Sequence, residues 1–225
     1  MPSPGSLRRT VLPAAAALLS LLVFALSANM LPSVVLRAAT DLGVPPKTLA
    51  GFHSIQFAAF FLAAAAGGLL AERWGKRRVF TGACLCLLAG AGRWAGAQRL
   101  PHVFAATILW GLAGGIFESM SSALLCELFP KRRKLYMNLS QILYTVGAVG
   151  GPWVAGLLLP RGFAWRLLFL GVGAWSGLLL LLFLAGSLPP ANRRDRDSTT
   201  GEPLLHALGS WTFLSPCLGL FLYVL

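Results

Sequence analysis

Acidic residues are scarce in this chain of 225 residues, which has only seven Asp and Glu side chains. Charged residues of both signs make up 12%, whereas 56% are hydrophobic and the mean hydropathy is +0.72. A soluble protein of this length needs a polar shell over its core, and this composition cannot supply one. It therefore excludes one or two soluble domains and predicts a protein whose solvent is lipid.

Residues that could carry enzyme chemistry are also few. All four cysteines lie in apolar segments, and Cys84 and Cys86 are separated by one residue rather than by the two typical of metal ligands. A disulfide or metal site is the less favoured alternative, because small packed hydrophobes fit the same positions. The sequence has no nucleotide-binding loop and no nucleophile-base constellation, so we expect neither an enzyme nor a cofactor.

Basic residues give a net charge of +12, but they are clustered rather than spread over a surface. Four clusters contain 13 of the 19 Lys and Arg residues: Arg8 and Arg9; Arg73, Lys76, Arg77 and Arg78; Lys131, Arg132, Arg133 and Lys134; Arg193, Arg194 and Arg196. Long apolar runs separate these clusters. The pattern argues against nucleic acid as a partner and indicates loops between membrane spans.

Seven apolar segments of about the length that crosses a bilayer recur along the chain. They cover residues 11–35, 49–71, 79–97, 103–128, 135–159, 167–188 and 206–225. Each is predicted to be a helix, because only a helix satisfies its own backbone polar groups within one segment in lipid. The chain then divides into a six-helix bundle over 1–188, a polar cytoplasmic linker over 189–205 and a partial seventh helix over 206–225.

The basic clusters predict the topology. They precede span 1 and lie between spans 2 and 3, 4 and 5, and 6 and 7, whereas the alternate loops contain five basic residues. By the positive-inside rule, the amino terminus is cytoplasmic and the chain is a multi-pass protein of the cell membrane. A cleaved signal peptide is the alternative for span 1, but the apolar run continues through Val35, beyond an ordinary signal core.

The loop between spans 2 and 3 contains the most specific motif. From Gly68 to Arg78 it reads GLLAERWGKRR. This segment resembles motif A of the major facilitator superfamily, with Glu72 where Asp is usual. The resemblance implies that the loop helps to close the cytoplasmic side of a transporter by contacting the other half of the molecule. The residues expected at this gate are Gly68, Glu72, Arg73, Gly75, Arg77 and Arg78.

The residue types at this gate suggest how it would work. Gly68 would allow a close helix contact, and Gly75 would permit a tight turn. Glu72 could accept hydrogen bonds from the neighbouring arginines. Glu127, at the inner end of span 4, is predicted to bind the same basic loop. An ordinary positive-inside loop is the alternative interpretation.

Span 5 contains a second resemblance. From Gly147 to Gly156 it reads GAVGGPWVAG, which is similar to the core of the antiporter motif C, with Ala155 where Gly is usual. Gly147 and Gly151, with Gly156 roughly in line, would let a neighbouring helix approach closely, and Pro152 would bend the helix. Small-residue packing without a role in antiport explains the pattern equally well.

Glu118 is the most informative residue within the spans. About three helical turns separate it from the loop at Pro130, which puts it near mid-membrane. It shares a helix face with small residues at three-to-four-residue spacing: Gly111, Gly114, Gly115, Ser121 and Ser122. We expect its carboxyl to face the bundle interior and to bind substrate or a proton, with a structural hydrogen bond as the alternative. The order of Glu118, a short basic loop, Asn138 and a Gly-Pro pair also resembles the fucose permease branch.

Five further polar or amphipathic side chains in apolar spans are candidates for the substrate cavity: Asn29, His53, Gln56, Gln141 and Tyr144. Neutral amides suit polyols, although each group could instead form an interhelical hydrogen bond. Span 1 contains no acid, which argues against a two-carboxylate proton relay in this half. Arg93 could pair with Glu118 or, as the favoured reading, anchor span 3 at the membrane interface.

The sequence therefore predicts an all-α membrane protein. The resemblance implies a six-helix major facilitator half-bundle made of two inverted three-helix repeats, followed by a partial seventh helix. Such a protein is expected to carry a small hydrophilic solute, such as a sugar or related metabolite, by alternating access with or without protons. Its other expected partners are the lipid bilayer and a missing C-terminal half, from the same gene or a second chain. The alternatives are a drug/proton antiporter and a truncated membrane protein that does not transport.

Overall fold

A computed structural model describes residues 10–186 and 188. Its α-helices, numbered here in chain order, are α1 Leu12–Leu42, α2 Pro46–Trp74, α3 Lys76–Ala95, α4 Leu100–Leu128, α5 Arg133–Leu158 and α6 Trp165–Ala185. Short 3-10 turns precede α5 at Pro130–Arg132 and follow it at Leu159–Arg161. The predicted linker, the predicted seventh helix and the basic clusters at residues 8–9 and 193–196 lie outside the described residues.

The six complete spans predicted from the sequence are all helical, and all the helices except α6 are longer than the apolar runs. The largest error is in α1, which has 31 residues and continues seven residues beyond Val35. It ends at Gly43, whose backbone lies in the left-handed region and whose N–H donates to the carbonyls of Ala39 and Thr40. A helix of this length spans about 46 Å, whereas the hydrocarbon core is about 30 Å thick, so hydropathy marks only the part in lipid.

Five of these helices are long and apolar enough to cross a membrane, and α3 is the exception. It has 20 residues and carries basic side chains near both ends: Lys76, Arg77, Arg78 and Arg93. Its middle is well packed, since Phe80, Leu87 and Trp94 are almost fully buried. Arg93 is exposed in the last turn, where a long basic side chain can reach the membrane interface.

The packing of the helices has an internal symmetry. The most extensive contacts are those of α2 with α4 and of α1 with α5, followed by those of α3 with α4 and α6. The first three helices correspond in order to the last three: α1 to α4, α2 to α5 and α3 to α6. Under this correspondence the α1–α5 contact is equivalent to the α4–α2 contact. The α3–α4 contact is likewise equivalent to the α6–α1 contact, which is also present. Because each group has three spans, the second group crosses the membrane in the opposite direction. The prediction of two inverted three-helix repeats is confirmed.

The two long helices α1 and α4 form the interior of this bundle, whereas α2 and α5 have the most exposed faces. An aromatic cluster joins α3, α4 and α6 near one end: the Trp94 ring stacks on Phe169 at 4.9 Å, and Trp110 lies 5.3 Å from the same ring. This cluster packs α3 and α6 against α4, the helix that carries Glu118.

Candidate functional site

Glycines on α4 bring α2 into direct contact with its backbone. A Cβ atom added at Gly111 would be 2.3 Å from the carbonyl oxygen of Gln56. One added at Gly115 would be 2.1 Å from the carbonyl oxygen of Phe60. Any larger residue at either position would push α2 away, so these two glycines fix the distance between α2 and the helix that carries Glu118.

Glycines on α5 likewise bring the backbone of α1 into direct contact with that of α5. A Cβ atom added at Gly147 would be 2.4 Å from the carbonyl oxygen of Leu22, and one at Gly151 would be 2.2 Å from that of Leu26. The predicted close approach is therefore confirmed at both positions. At Gly156 it is wrong, because an added Cβ would meet nothing within 4 Å among the described residues. The segment that resembles motif C therefore packs closely against α1 through Gly147 and Gly151.

Glu118 lies where these interfaces meet. It is partly buried, and its Oε1 accepts a hydrogen bond from Gln141 Nε2 on α5 at 3.3 Å. Tyr144, less than one turn further along α5, lies within electrostatic range of the Glu118 carboxyl. The Oε2 atom is buried and has no hydrogen-bond partner in the part of the chain that the structure describes. Three of the predicted cavity residues are thus brought together.

An aromatic pair from α1 and α2 packs against α4 about one turn before Glu118. Phe24 and Phe60 stack with their ring centroids 5.7 Å apart. Phe24 also fills the space beside Gly114, where an added Cβ would be 2.0 Å from its ring, and Gly114 is about one turn from Glu118. The sequence analysis missed both rings. The available signal was Gly114, a small residue on the Glu118 face that needed a large partner.

The other three predicted cavity residues lie elsewhere. Asn29 on α1 donates to the carbonyl of Ala25 in its own helix at 2.8 Å. His53 Nδ1 and Gln56 Oε1 are buried without partners in the described region. Gln56 is level with Gly111, seven residues and about 10 Å along α4 from Glu118. Of the six candidates, three therefore form a cluster on α4 and α5, two form a separate pair on α2, and Asn29 belongs to neither group.

The turn between α2 and α3 has the backbone that its glycine predicts. Gly75 has φ +86° and ψ +143°, a conformation that side-chain-bearing residues rarely adopt, and its N–H donates to Ala71. Directly after it, Lys76 Nζ forms an ion pair with the Glu127 carboxylate on α4. Arg77 donates to the carbonyl of Leu184 near the end of α6. The predicted contact of Glu127 with the basic loop is present, through Lys76.

Two other expectations for this loop are wrong within the described residues. Glu72 is exposed and accepts no hydrogen bond from an arginine there, and Arg77 instead donates to the carbonyl of Leu184 on α6. Gly68 faces open space, and the close contact is made by Gly67, where an added Cβ would be 2.5 Å from Ser119 Oγ. A helix that is apolar on every side does not reveal which glycine faces its neighbour.

The opposite end of the bundle contains a cluster that the sequence analysis did not anticipate. Asp41 Oδ2 accepts hydrogen bonds from Trp165 Nε1 at 2.8 Å and from Arg166 at 2.9 Å. Arg166 also donates to the carbonyl of Ala97 at 3.1 Å, and Arg37 donates to the carbonyl of Leu159 at 2.6 Å. These bonds connect α1 to α6 and to the end of α5, and they connect α6 to the end of α3. The sequence contained one signal for this cluster: Asp41 is the one acidic residue in the predicted loops at this end of the bundle.

Comparison with known proteins gives consistent matches. The family model described as Major Facilitator Superfamily matches residues 16–225. The MFS-type efflux transporter phmH of Phaeosphaeria nodorum is 30% identical over 154 residues, covering 61% of this chain and 27% of that protein. The multidrug resistance protein B homolog of Mycobacterium tuberculosis is 32% identical over 157 residues, covering 69% and 27%. The multidrug resistance protein MdtH of Aeromonas salmonicida is 33% identical over 148 residues, covering 65% and 36%.

A solved structure with a similar fold is the crystal structure of D-xylose-proton symporter. It matches with a TM-score of 0.68 at 16% identity, over 87% of this chain and 54% of that one. At this identity the likeness concerns the fold alone. In both comparisons the chain spans well under two thirds of the protein that it matches.

Proposed function

The chain belongs to the major facilitator superfamily, and from this premise we propose that it forms the amino-terminal half of a carrier that works by alternating access around Glu118. It is a multi-pass membrane protein and a transporter rather than an enzyme. The substrate, the coupling ion, the second half of the carrier and the cytoplasmic position of the amino terminus are parts of the proposal.

The observation that carries the proposal is the half-satisfied carboxyl of Glu118. One oxygen accepts the amide of Gln141, and the other is buried with no partner among the described residues. A carboxyl group at membrane depth is costly unless a donor compensates it. A proton or a donor group on a solute supplies what is missing, and either event would couple binding at Glu118 to transport.

We propose an amphipathic organic solute, exchanged for protons, ahead of a sugar. The Phe60 ring is partly exposed, is backed by the buried Phe24 ring and would suit the flat or cationic face of such a solute. The relatives that match by sequence are named as efflux or multidrug resistance proteins, which supports the same class. A sugar is the second candidate, because Gln141 and Tyr144 offer hydrogen-bonding groups beside Glu118.

The gate is proposed to lie at the end of the bundle that carries the α2–α3 turn. Glu72 and Arg73 are exposed there and would contact the second half of the carrier. The Lys76–Glu127 pair would change partners when the carrier changes state. The exposed faces of α2 and α5 would pack against the second half.

Transport by the native gene product is the direct test. Glu118→Gln keeps the shape of the side chain and removes its charge, so export of a fluorescent lipophilic cation should fall at least about tenfold. Thr107→Val is the matched control: Thr107 is buried on the same helix and donates only to Val103 in its own turn, and export should change by less than about twofold. Unchanged export by Glu118→Gln would overturn the proposal.

Counterflow separates the two substrate classes. Vesicles containing the native product are preloaded with either a lipophilic cation or a sugar, and uptake of labelled solute is measured. Stimulation by cations alone supports the antiporter, and stimulation by sugars alone would replace it with the sugar carrier. If neither class stimulates uptake, the chain is better described as part of a membrane protein that does not transport.

A further inference from the structure

An open groove of about 400 Å³ lies between α2, α3 and α4, away from Glu118. Aliphatic and small residues dominate its lining, which includes Leu62, Ala66, Val79 and Ile116. Among the lining residues Arg78 alone is charged. A wall of this kind at membrane depth favours a hydrocarbon chain over a polar solute.

The length and position of the groove match one leaflet of a bilayer. On α2 its lining runs from Leu62 to Trp74, and the twelve residue steps between them correspond to about 18 Å of helix. Half of a hydrocarbon core about 30 Å thick is of similar length. Trp74 and Arg78 lie at the end of the groove next to the α2–α3 turn, so the groove runs from the interface to mid-membrane.

Arg78 differs from the two basic residues that precede it. Lys76 is paired with Glu127, and Arg77 donates to the carbonyl of Leu184. Arg78 is exposed and makes no hydrogen bond or ion pair with any residue in the described region. Trp74 is 55% exposed beside it, and exposed tryptophans are typical of the headgroup level of a membrane protein. The charge at the mouth of the groove therefore lacks a partner within the bundle.

We propose that this groove binds one phospholipid with an anionic headgroup. The headgroup phosphate would lie on Arg78, and an acyl chain would lie along the groove between α2, α3 and α4. A basic residue at the headgroup level beside an apolar channel complements both parts of such a lipid. The bilayer supplies this ligand at the depth where the groove opens.

Removal of the charge tests the headgroup contact. The full chain is purified, placed in nanodiscs of mixed phosphatidylglycerol and phosphatidylcholine, and the retained lipid is identified by native mass spectrometry. We expect one phosphatidylglycerol to be retained, with its preference over phosphatidylcholine about fivefold lower in Arg78→Gln. Arg133→Gln, an exposed arginine at the start of α5 and outside the groove, should leave the preference unchanged.

Filling the groove tests the acyl-chain contact independently. Gly82 lines the groove, and a Cβ added there would meet no atom within 4 Å, so the larger side chain of Gly82→Leu is a suitable way to occupy the groove. We expect the retained lipid to be lost from this variant. Gly92→Leu is the matched control, because Gly92 lies on the same helix, is equally open and is not part of the groove. Alkylation of Cys86, which lines the groove, should be slower when the lipid is bound.

Two results would overturn the proposal. Equal retention of phosphatidylglycerol and phosphatidylcholine by the wild-type chain would show that the groove does not select an anionic headgroup. Equal retention of lipid by Gly82→Leu and Gly92→Leu would show that the acyl chain does not bind in the groove. Matching thermal unfolding curves for these two variants establish that both are folded. If Gly82→Leu fails to fold, the comparison of lipid preference between Arg78→Gln and Arg133→Gln tests the proposal instead.

Discussion

The two ends of the bundle are held together in different ways. At the Asp41 end, one carboxylate accepts hydrogen bonds from two side chains of α6, and Arg166 completes the cluster by donating to a backbone carbonyl of the α3–α4 loop. At the end with the α2–α3 turn, which we call the basic end, Lys76 and Arg77 each make one such contact. Glu72, Arg73 and Arg78 make none within the described part of the chain.

This difference suggests that the Asp41 end stabilises the bundle, whereas the basic end is a contact surface. The polar groups of Asp41 and Arg166 are satisfied by neighbouring helices, so that end has less to gain from a partner outside the bundle. The basic end retains charges on its surface, which suits a role in which partners are exchanged. Loss of a side-chain contact should therefore lower stability more at the Asp41 end than at the basic end, and loss of a contact at the basic end should mainly affect function.

The largest effect should come from the backbone of the basic end. Gly75→Ala places a Cβ in a conformation reserved for glycine and should lower the free energy of unfolding by about 2–3 kcal/mol. Gly43→Ala, at the other end, places one in the left-handed helical region and should cost about 1 kcal/mol. Thermal unfolding in detergent measures both. Equal losses would mean that the two turns are equally constrained.

A smaller loss of stability is expected at the Asp41 end. Asp41→Asn removes the charge that pairs with Arg166, and because the pair is partly exposed the loss should be about 1 kcal/mol. Arg161→Gln is a suitable control, since Arg161 is at the same end and donates only to Leu157 in its own turn. If the two variants unfold alike, the Asp41 cluster does not brace the bundle.

The smallest effect on stability should follow Glu127→Gln. Its ion pair with Lys76 is partly exposed, so the loss should be under about 0.5 kcal/mol and should shrink further at high salt. Transport by the native gene product should nevertheless fall, because the pair belongs to the proposed gate. Unchanged transport together with unchanged accessibility of the gate would exclude Glu127 from it.

Much of the fold could be predicted because the bilayer leaves few choices. A run of apolar residues of sufficient length must be helical in lipid, and the six complete spans followed from this alone. Gly75 was predictable for a similar reason, since a turn so close to two helix ends needs its conformational freedom. The contact of Glu127 with the basic loop followed from opposite charges at the same end of the bundle.

The parts that could not be predicted depend on how each helix is rotated. α4 is apolar or small on nearly every side, so its sequence does not specify which residue meets Phe24 or Ser20 on α1. For the same reason Gly67, rather than Gly68, makes the close contact on α2. The hydrogen bond that Asn29 donates to Ala25 in its own helix is likewise not evident from its sequence position. These outcomes follow from packing between segments far apart in sequence.

The glycine contacts also limit how the half can move. Gly111 and Gly115 join a helix of the second repeat to one of the first, and Gly147 and Gly151 do so again with another pair. Backbone pressed against backbone leaves no side chains that could rearrange to let one repeat slide past the other. The six helices should therefore move as a single rigid body. Access to Glu118 should then open and close as this rigid body rotates against the part of the carrier that packs on α2 and α5.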